Sequence, residues 1–267
     1  MPDHYQLANF EVQDAGGSNL VVLVSGSRKY YDILRHAFSR YRFSRAFNDH
    51  KNRFDWGTYI YNINDPEPSK LVKLLTKFKE YVCIDDIMDQ TFALDYHSYA
   101  NFDGIGKTDI GKLVYAAKPY HQIPSDRHRA KAHILAKHFV EFIDCHPSYK
   151  RSDYLIAVPP NPGKTYDLPT ILVEEICTKL KMSNGSRYIR KARETKMKDR
   201  KTLKEKTDEI NGAFEIVGSP SFEGKNVTII DDIYQTGVTL HEVALVLQSK
   251  GATVQGLVAT KTLRDLD

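Results

Sequence analysis

Apolar residues recur along this chain in short runs separated by polar and turn-forming segments, and the spacing of those runs predicts the elements. Near the start, Leu20–Ser25 (LVVLVS) predicts a strand. A mixed aromatic and basic stretch, Arg28–Phe54, follows it. Asn62–Lys70 (NINDPEPSK) predicts a turn or linker, because two prolines with Asn and Asp break both helix and ladder. Leu71–Lys79 then predicts a short helix and Tyr81–Ile84 a strand. Further on, Ala132, Leu135, Ala136, Phe139 and Ile143 share a helical period, which predicts a helix over Asp126–Ile143. Strands are predicted at Tyr154–Val158, Phe214–Val217, Val227–Ile230 and Val254–Thr262. Helices are predicted at Leu168–Leu180 and from Thr239 to Lys250, the second carrying Leu240, Val243, Ala244 and Leu247 on one face and stopped by Gly251. Strands alternating with helices imply an α/β fold with a doubly wound, mostly parallel sheet and a smaller N-terminal α/β extension.

Composition narrows the class. The chain has 267 residues, 41% hydrophobic and 27% charged, which suits one large domain or two small ones and excludes a collagen-like, coiled-coil or wholly disordered chain. Its longest apolar runs, Leu20–Val24 and Val227–Ile230, are far shorter than the roughly 20 residues of a membrane span, so no membrane partner is expected. Met1–Asn19 lacks a basic-then-apolar leader pattern. Cys83, Cys145 and Cys177 stand apart without a CxxC pair, which argues against a disulfide framework or structural zinc. A reduced, cytoplasmic setting is expected. His128, His133 and His138 recur every five residues. Each step turns about 140° around a helix, so they do not converge on one metal.

Charge is uneven. Between Arg187 and Lys206 stand ten Lys/Arg and three acids, a local net charge of +7 in a chain whose net charge is +4. The remainder is therefore net negative, and a local anion-binding element fits better than a uniformly basic surface. The segment reads as a local anion-binding element, a solvated face or a nucleic-acid contact.

The most informative residues are Asn226–Leu240, NVTIIDDIYQTGVTL. A buried-type strand leads into Asp231-Asp232, then a short loop with Thr236, Gly237 and Thr239, then an amphipathic helix. Ligands of parallel α/β sheets bind beyond the carboxyl ends of the strands. Gly237 permits a tight turn with converging N–H groups, and the helix start adds partial positive charge, which suits a phosphate. Two carboxylates would repel that phosphate. They suit vicinal hydroxyls instead, directly or through a bound magnesium. A phosphate and a diol a few ångströms apart describe a ribose 5-phosphate. A second strand-plus-acids segment, Val82–Gln90 (VCIDDIMDQ), has no T-G-x-T behind it and reads as a strand end with a capped turn. Ser25–Tyr31 (SGSRKYY) lacks the glycine spacing of a P-loop and reads as structural.

The strand–DD–T-G-x-T–helix order resembles the phosphoribosyl-pyrophosphate (PRPP) signature of type I phosphoribosyltransferases, with Gln235 where Thr or Ser is commoner. Within that superfamily the chain is similar to the ComF-like group. The likeness covers about residues 91–263 and rests on the order of Thr108–Tyr120 (TDIGKLVYAAKPY), Leu155–Asp167 (LIAVPPNPGKTYD), Arg190–Ile216 and the PRPP loop. It departs from that group in lacking an N-terminal four-cysteine zinc finger and in the residues between Thr195 and Asn211.

The resemblance implies a phosphoribosyltransferase-like domain at 86–267 behind an N-terminal domain of unknown role at 1–85. It implies a hood at about 91–120 that recognises the acceptor and a basic flexible loop at about 187–210. Asp231 and Asp232 would hold the ribose hydroxyls and, mainly through PRPP, Mg2+. Tyr234, Gln235, Thr236, Gly237, Val238 and Thr239 would hold the 5-phosphate. Pro160, Asn161, Gly163 and Lys164 would form the pyrophosphate loop, with Arg193 and Arg200 as further pyrophosphate contacts. Tyr234 stands where some relatives carry an acid, so this loop offers no evident general base. The implied reaction passes a 5-phosphoribosyl group from PRPP to a nitrogen base or amine and releases pyrophosphate. A non-catalytic PRPP-sensing regulator and a nucleic-acid-associated accessory protein, binding through 187–206, are the alternatives. A homodimer is the default assembly.

Overall fold

The structure is a computed structural model, and it describes residues 3–49, 53–64, 66–101, 104–120 and 122–263. In chain order the first elements are β1 (Asp3–Tyr5), β2 (Asn9–Gly16), β3 (Asn19–Ser25), α1 (Lys29–Ala37), β4 (Arg42–Phe43), β5 (Trp56–Tyr61) and α2 (Glu67–Phe78). They are followed by β6 (Val82–Asp85), β7 (Thr91–Tyr96), β8 (Ser98–Asn101), β9 (Gly104–Lys107), α3 (Asp109–Ala117), α4 (Asp126–Cys145) and α5 (Pro147–Lys150). The last are β10 (Tyr154–Ala157), α6 (Leu168–Leu180), β11 (Ile189–Lys191), α7 (Leu203–Ile210), β12 (Phe214–Ile216), β13 (Asn226–Tyr234), α8 (Val238–Gln248) and β14 (Thr253–Lys261).

Two compact units result. One gathers Ile84–Glu141 with the chain from Arg151 onward, and the other gathers His4–Cys83 with Phe142–Lys150. At the heart of the first unit, β7, β14, β13 and β10 lie side by side in that order, all parallel. Val227–Ile230 of β13 and Val254–Lys261 of β14 are buried at every position rather than alternately. Unbroken burial means that both faces of the sheet are covered, as parallel strands require. Helix α6 packs on β10 and β13, α8 on β13 and β14, and α3 on β7 and β14. The apolar stripe of α8, with Leu240, Val243, Ala244 and Leu247, is buried as its spacing predicts. The mostly parallel α/β architecture agrees with the sequence pattern.

Several boundaries differ from the pattern. Helix α2 begins at Glu67, inside the predicted linker, because Pro68 sits in its first turn, where a missing N–H costs nothing. Phe214–Val217 does not alternate into the parallel sheet. As β12 it pairs antiparallel with β11, where Arg190 Nε meets Glu215 Oε1 at 2.6 Å. Thr91–Tyr96 forms β7, a strand of the parallel sheet, and β13 runs through both acids to Tyr234 because β14 supplies ladder partners as far as Lys261.

The second unit is built on an antiparallel sheet in the order β2-β3-β5-β4. Val22 and Val24 of β3 stand opposite Thr58 and Trp56 of β5, and Tyr30, Leu34, Leu71, Leu75 and Phe78 of the helices are buried. Tyr30 of the aromatic and basic stretch and Trp56 just beyond it are therefore core, and Trp56 Nε1 donates to the Gly26 carbonyl at 3.0 Å. No helix among the described residues is long and apolar enough to cross a membrane.

Candidate functional site

Strand β13 ends at Tyr234, and only three residues separate it from α8. Gly237 is the cap residue that turns the chain, with φ +81°. An L side chain is strained at that angle, and a Cβ there would also lie 2.2 Å from the Tyr234 hydroxyl oxygen. Glycine is thus required twice over. The turn leaves the first N–H groups of α8 without helical partners, in the field of the helix N-terminus, which is an anion-binding arrangement. Thr236 is buried beside it and Gln235 is exposed.

The two acids precede this turn on the same strand. Asp232 Oδ2 meets Lys118 Nζ at 2.7 Å, and the Asp232 N–H donates to Asp231 Oδ1 at 2.8 Å. Burial, then the neighbouring Asp232 carboxylate, pushes the Asp231 carboxyl well above the ordinary carboxylate range. Burial pulls the Lys118 ammonium down, but Asp232 and then Asp231 outweigh it and hold the amine above its ordinary value. Lys118 follows α3 directly, and no local pattern in the sequence marks it.

Beneath the turn, Tyr234 is buried and borders the same cleft as the 235–239 residues. Its hydroxyl donates to Asp86 Oδ2 at 3.2 Å and lies 2.9 Å from His241 Nε2, while Thr91 Oγ1 donates to Asp86 Oδ1 at 2.9 Å. The second DD segment does form a capped turn, since Asp86 Oδ1 also accepts the Met88 N–H at 3.1 Å. Its other oxygen serves the turn at the end of β13.

The basic segment comes to this site. A cleft of about 500 Å³ is bounded by Asp231 and the 235–239 turn on one side and by Arg200, Lys201 and Lys206 on the other. Lys206, on α7, is buried, which lowers its amine pKa, and it donates to Gln235 Oε1 at 2.8 Å. Other cations of the segment are matched by acids outside it. Glu209 accepts from Arg200 Nη2 at 2.6 Å and lies 3.9 Å from Arg193, whose Nη2 also donates to the carbonyls of Glu209 and Asn211.

The turn after β10 forms a second cleft of about 900 Å³ with the 184–192 stretch. Pro160, Asn161, Gly163 and Lys164 line it together with Lys191, whereas Arg193 and Arg200 do not. Gly163 is left-handed at φ +79°, and Asn161 is tied to Thr195 by an Nδ2–carbonyl bond of 3.0 Å. Lys164 Nζ pairs with Asp167 Oδ1 at 2.9 Å. Burial, then Arg193 and Lys164, lowers the Lys191 amine pKa. Its Nζ lies 5.3 Å from the centre of the Phe214 ring.

Other candidates are structural. His133 pairs with Glu175 at 2.9 Å, His128 with Ser125 at 2.8 Å, and His138 lies 3.9 Å from Glu141, so the three face different partners. Among the described residues, no group of three or more His, Cys, Asp or Glu could hold a metal ion. No disulfide joins Cys83, Cys145 or Cys177, and burial pushes the Cys145 and Cys177 thiols up to about 11.

Neither a family model nor a curated protein matches the chain. Several solved structures are similar to it at low identity. A phosphoribosylpyrophosphate synthetase from Mycobacterium smegmatis matches 48% of this chain and 33% of its own, at 19% identity and a TM-score of 0.32. An orotate phosphoribosyltransferase from Aeropyrum pernix matches 62% of this chain and 74% of its own, at 17% identity and a TM-score of 0.33. A glutamine PRPP amidotransferase from B. subtilis matches 90% of this chain and 46% of its own, at 12% identity and a TM-score of 0.38. The match thus spans a third of the synthetase's length. Similarity at that level assigns no function, and the geometry at Asp231–Thr239 has to carry it.

Proposed function

We propose that this chain binds PRPP and transfers its 5-phosphoribosyl group to a nitrogen nucleophile, releasing pyrophosphate. One observation carries the reading. Two adjacent carboxylates at the carboxyl end of a parallel strand are followed at once by a glycine-turned helix N-terminus, and Asp231 and that helix start border one cleft with Arg200, Lys201 and Lys206. A diol and a phosphate joined by one ribose match that pairing of acceptors and donors.

In this reading the 235–239 turn holds the 5-phosphate, and Asp231 and Asp232 accept from the ribose hydroxyls. The 160–164 turn with Lys164 and Lys191 holds the pyrophosphate. As the bond from C1 to pyrophosphate breaks, negative charge grows on the leaving group, and cations fixed beside it stabilise that charge. Magnesium fits the hard oxygens of Asp231 and Asp232 only in part, since two carboxylates complete no octahedral shell. The remaining ligands would come from the diphosphate, whose charge the ion would neutralise. Arg200, Lys201 and Lys206 close the phosphate end and exclude water, which protects the ribosyl cation character from hydrolysis.

Calorimetric titration with PRPP, with and without magnesium, tests the reading, with pyrophosphate release followed in the same samples. Magnesium-dependent binding that Asp231→Asn with Asp232→Asn abolishes is the expected result. Unchanged PRPP affinity in that double variant refutes the site. Binding without turnover against any acceptor makes the chain a PRPP-sensing regulator instead.

A further inference from the structure

The 234–239 turn supplies no group able to take a proton from the acceptor, because the Tyr234 hydroxyl is committed to Asp86 and His241. A histidine stands on the same sheet edge. His97 follows β7 directly, where Tyr96 pairs with Lys261 and its own N–H donates to the Lys261 carbonyl at 2.8 Å. Its position is clamped from the other side by α3. A Cβ on Gly111 would lie 2.1 Å from the His97 carbonyl oxygen, so only glycine lets the helix approach this closely.

The side chain is half-buried. Nδ1 lies 3.1 Å from Thr260 Oγ1, and Thr260 Oγ1 donates to the Asp232 carbonyl at 3.4 Å. A threonine hydroxyl has a single hydrogen, and a carbonyl can only accept. With that hydrogen on Asp232, the imidazole must donate from Nδ1, which leaves the lone pair on Nε2. Nε2 makes no hydrogen bond among the described residues. Strands β7 and β13 flank β14, two spacings of about 4.8 Å apart. His97 and Asp232 therefore bracket Thr260 from the two flanking strands, at the carboxyl edge of the sheet.

We propose that His97 Nε2 is the general base that accepts the acceptor's N–H proton, an inference that rests on the phosphoribosyl-transfer reading. The acceptor nitrogen's lone pair forms the bond to ribose C1. The C1–oxygen bond breaks with its electron pair on pyrophosphate, the N–H proton passes to Nε2, and the imidazolium returns it to solvent after product leaves. The acceptor is therefore a nitrogen that must be deprotonated as it reacts. The charged groups around the ring are Lys107, Lys118 and Asp232, with Lys261 behind it on β14. Burial, then Lys107 and Lys118, lowers the imidazole below its ordinary value despite Asp232, so it is neutral and able to accept near pH 7.

Two measurements test this. In the full chain, the 15N spectrum of labelled histidine is expected to show His97 protonated at Nδ1 and bare at Nε2, and the opposite tautomer overturns the proposal without any ligand being added. His97→Asn keeps a donor toward Thr260 and removes the base. It is expected to bind PRPP with Mg2+ within about threefold of wild type. Its pyrophosphate release with a panel of purine and pyrimidine bases should fall by about 10² to 10⁴, lose the acid limb of its pH profile and recover in part with added imidazole. Turnover within threefold of wild type, or a retained acid limb, overturns the base assignment, as does a wild type that binds PRPP but turns over no acceptor. No PRPP binding by the wild type is a different failure, that of the transferase reading itself.

Discussion

Lys118 Nζ and Asp232 Oδ2 lie 2.7 Å apart, with only a quarter of the lysine side chain and a seventh of the aspartate exposed. Removing one member of such a pair leaves the other charge without compensation. Lys118→Met is therefore expected to destabilise the fold by about 3 kcal/mol, the usual cost of breaking a buried pair from one side. Adding Asp232→Asn should restore part of that loss. Urea unfolding of both single variants and the double variant measures the coupling, and additive effects would show that the pair contributes nothing.

Asp231 makes stability depend on pH in an uncommon direction. Its carboxyl is raised above the unfolded value of about 4 by burial and by Asp232. In the window between the unfolded and folded values the native state holds more protons than the unfolded one. Stability therefore falls as pH rises through that window. Asp231→Asn is expected to flatten that slope and to raise the melting temperature at pH 7 to 8 while abolishing PRPP binding. Thermal melts from pH 4 to 8 decide it, and an unchanged slope would contradict the raised carboxyl.

Gly237→Ala meets both the positive φ of +81° and a Cβ position 2.2 Å from the Tyr234 hydroxyl oxygen. Strain of this kind costs about 1–3 kcal/mol, and relief of the clash would move the N–H groups at the start of α8. The expected outcome is at least a tenfold loss of PRPP affinity. Equilibrium binding at constant ionic strength measures it.

The basic segment distinguishes two roles by its response to salt. Arg200→Ala with Lys206→Ala is expected to weaken PRPP binding at least tenfold, since both residues border the 235–239 turn. A nucleic-acid role would instead show as an oligonucleotide affinity falling steeply with salt, with a shallower slope in the variant. PRPP affinity untouched by the double substitution would remove the segment from the site.

Much of the architecture is local in origin. The uninterrupted apolar run at Val227–Ile230 and the stripe Leu240–Leu247 each report the environment of their own residues, and neither requires knowledge of a distant partner. The turn between them was legible for the same reason, because two acids, a glycine and two threonines stand within nine residues of one another. The first turn of α2 was not legible, since Pro68 reads as a breaker until a helix is known to start just before it. The pairing of β12 with β11 was hidden too, because a three-residue strand has too short an apolar run to announce its neighbour.

His241 lies 7 residues from Tyr234, Asp86 148 from it and His97 163 from Thr260, so no local pattern announces these contacts or that of Lys118 with Asp232. Parallel strand order brings His97 at the end of β7 to the edge it shares with Asp232, and the ladder from β14 carries β13 past its acids to Tyr234. Short-range periodicity and turn chemistry are properties of a segment, so the chain's order of residues settles the sheet, the helices and the glycine turn. Which side chain neutralises Asp232, which oxygens anchor Tyr234 and which imidazole nitrogen stays bare depend on contacts closed across the sheet. Those contacts exist only once folding has offset the entropy of bringing distant segments together.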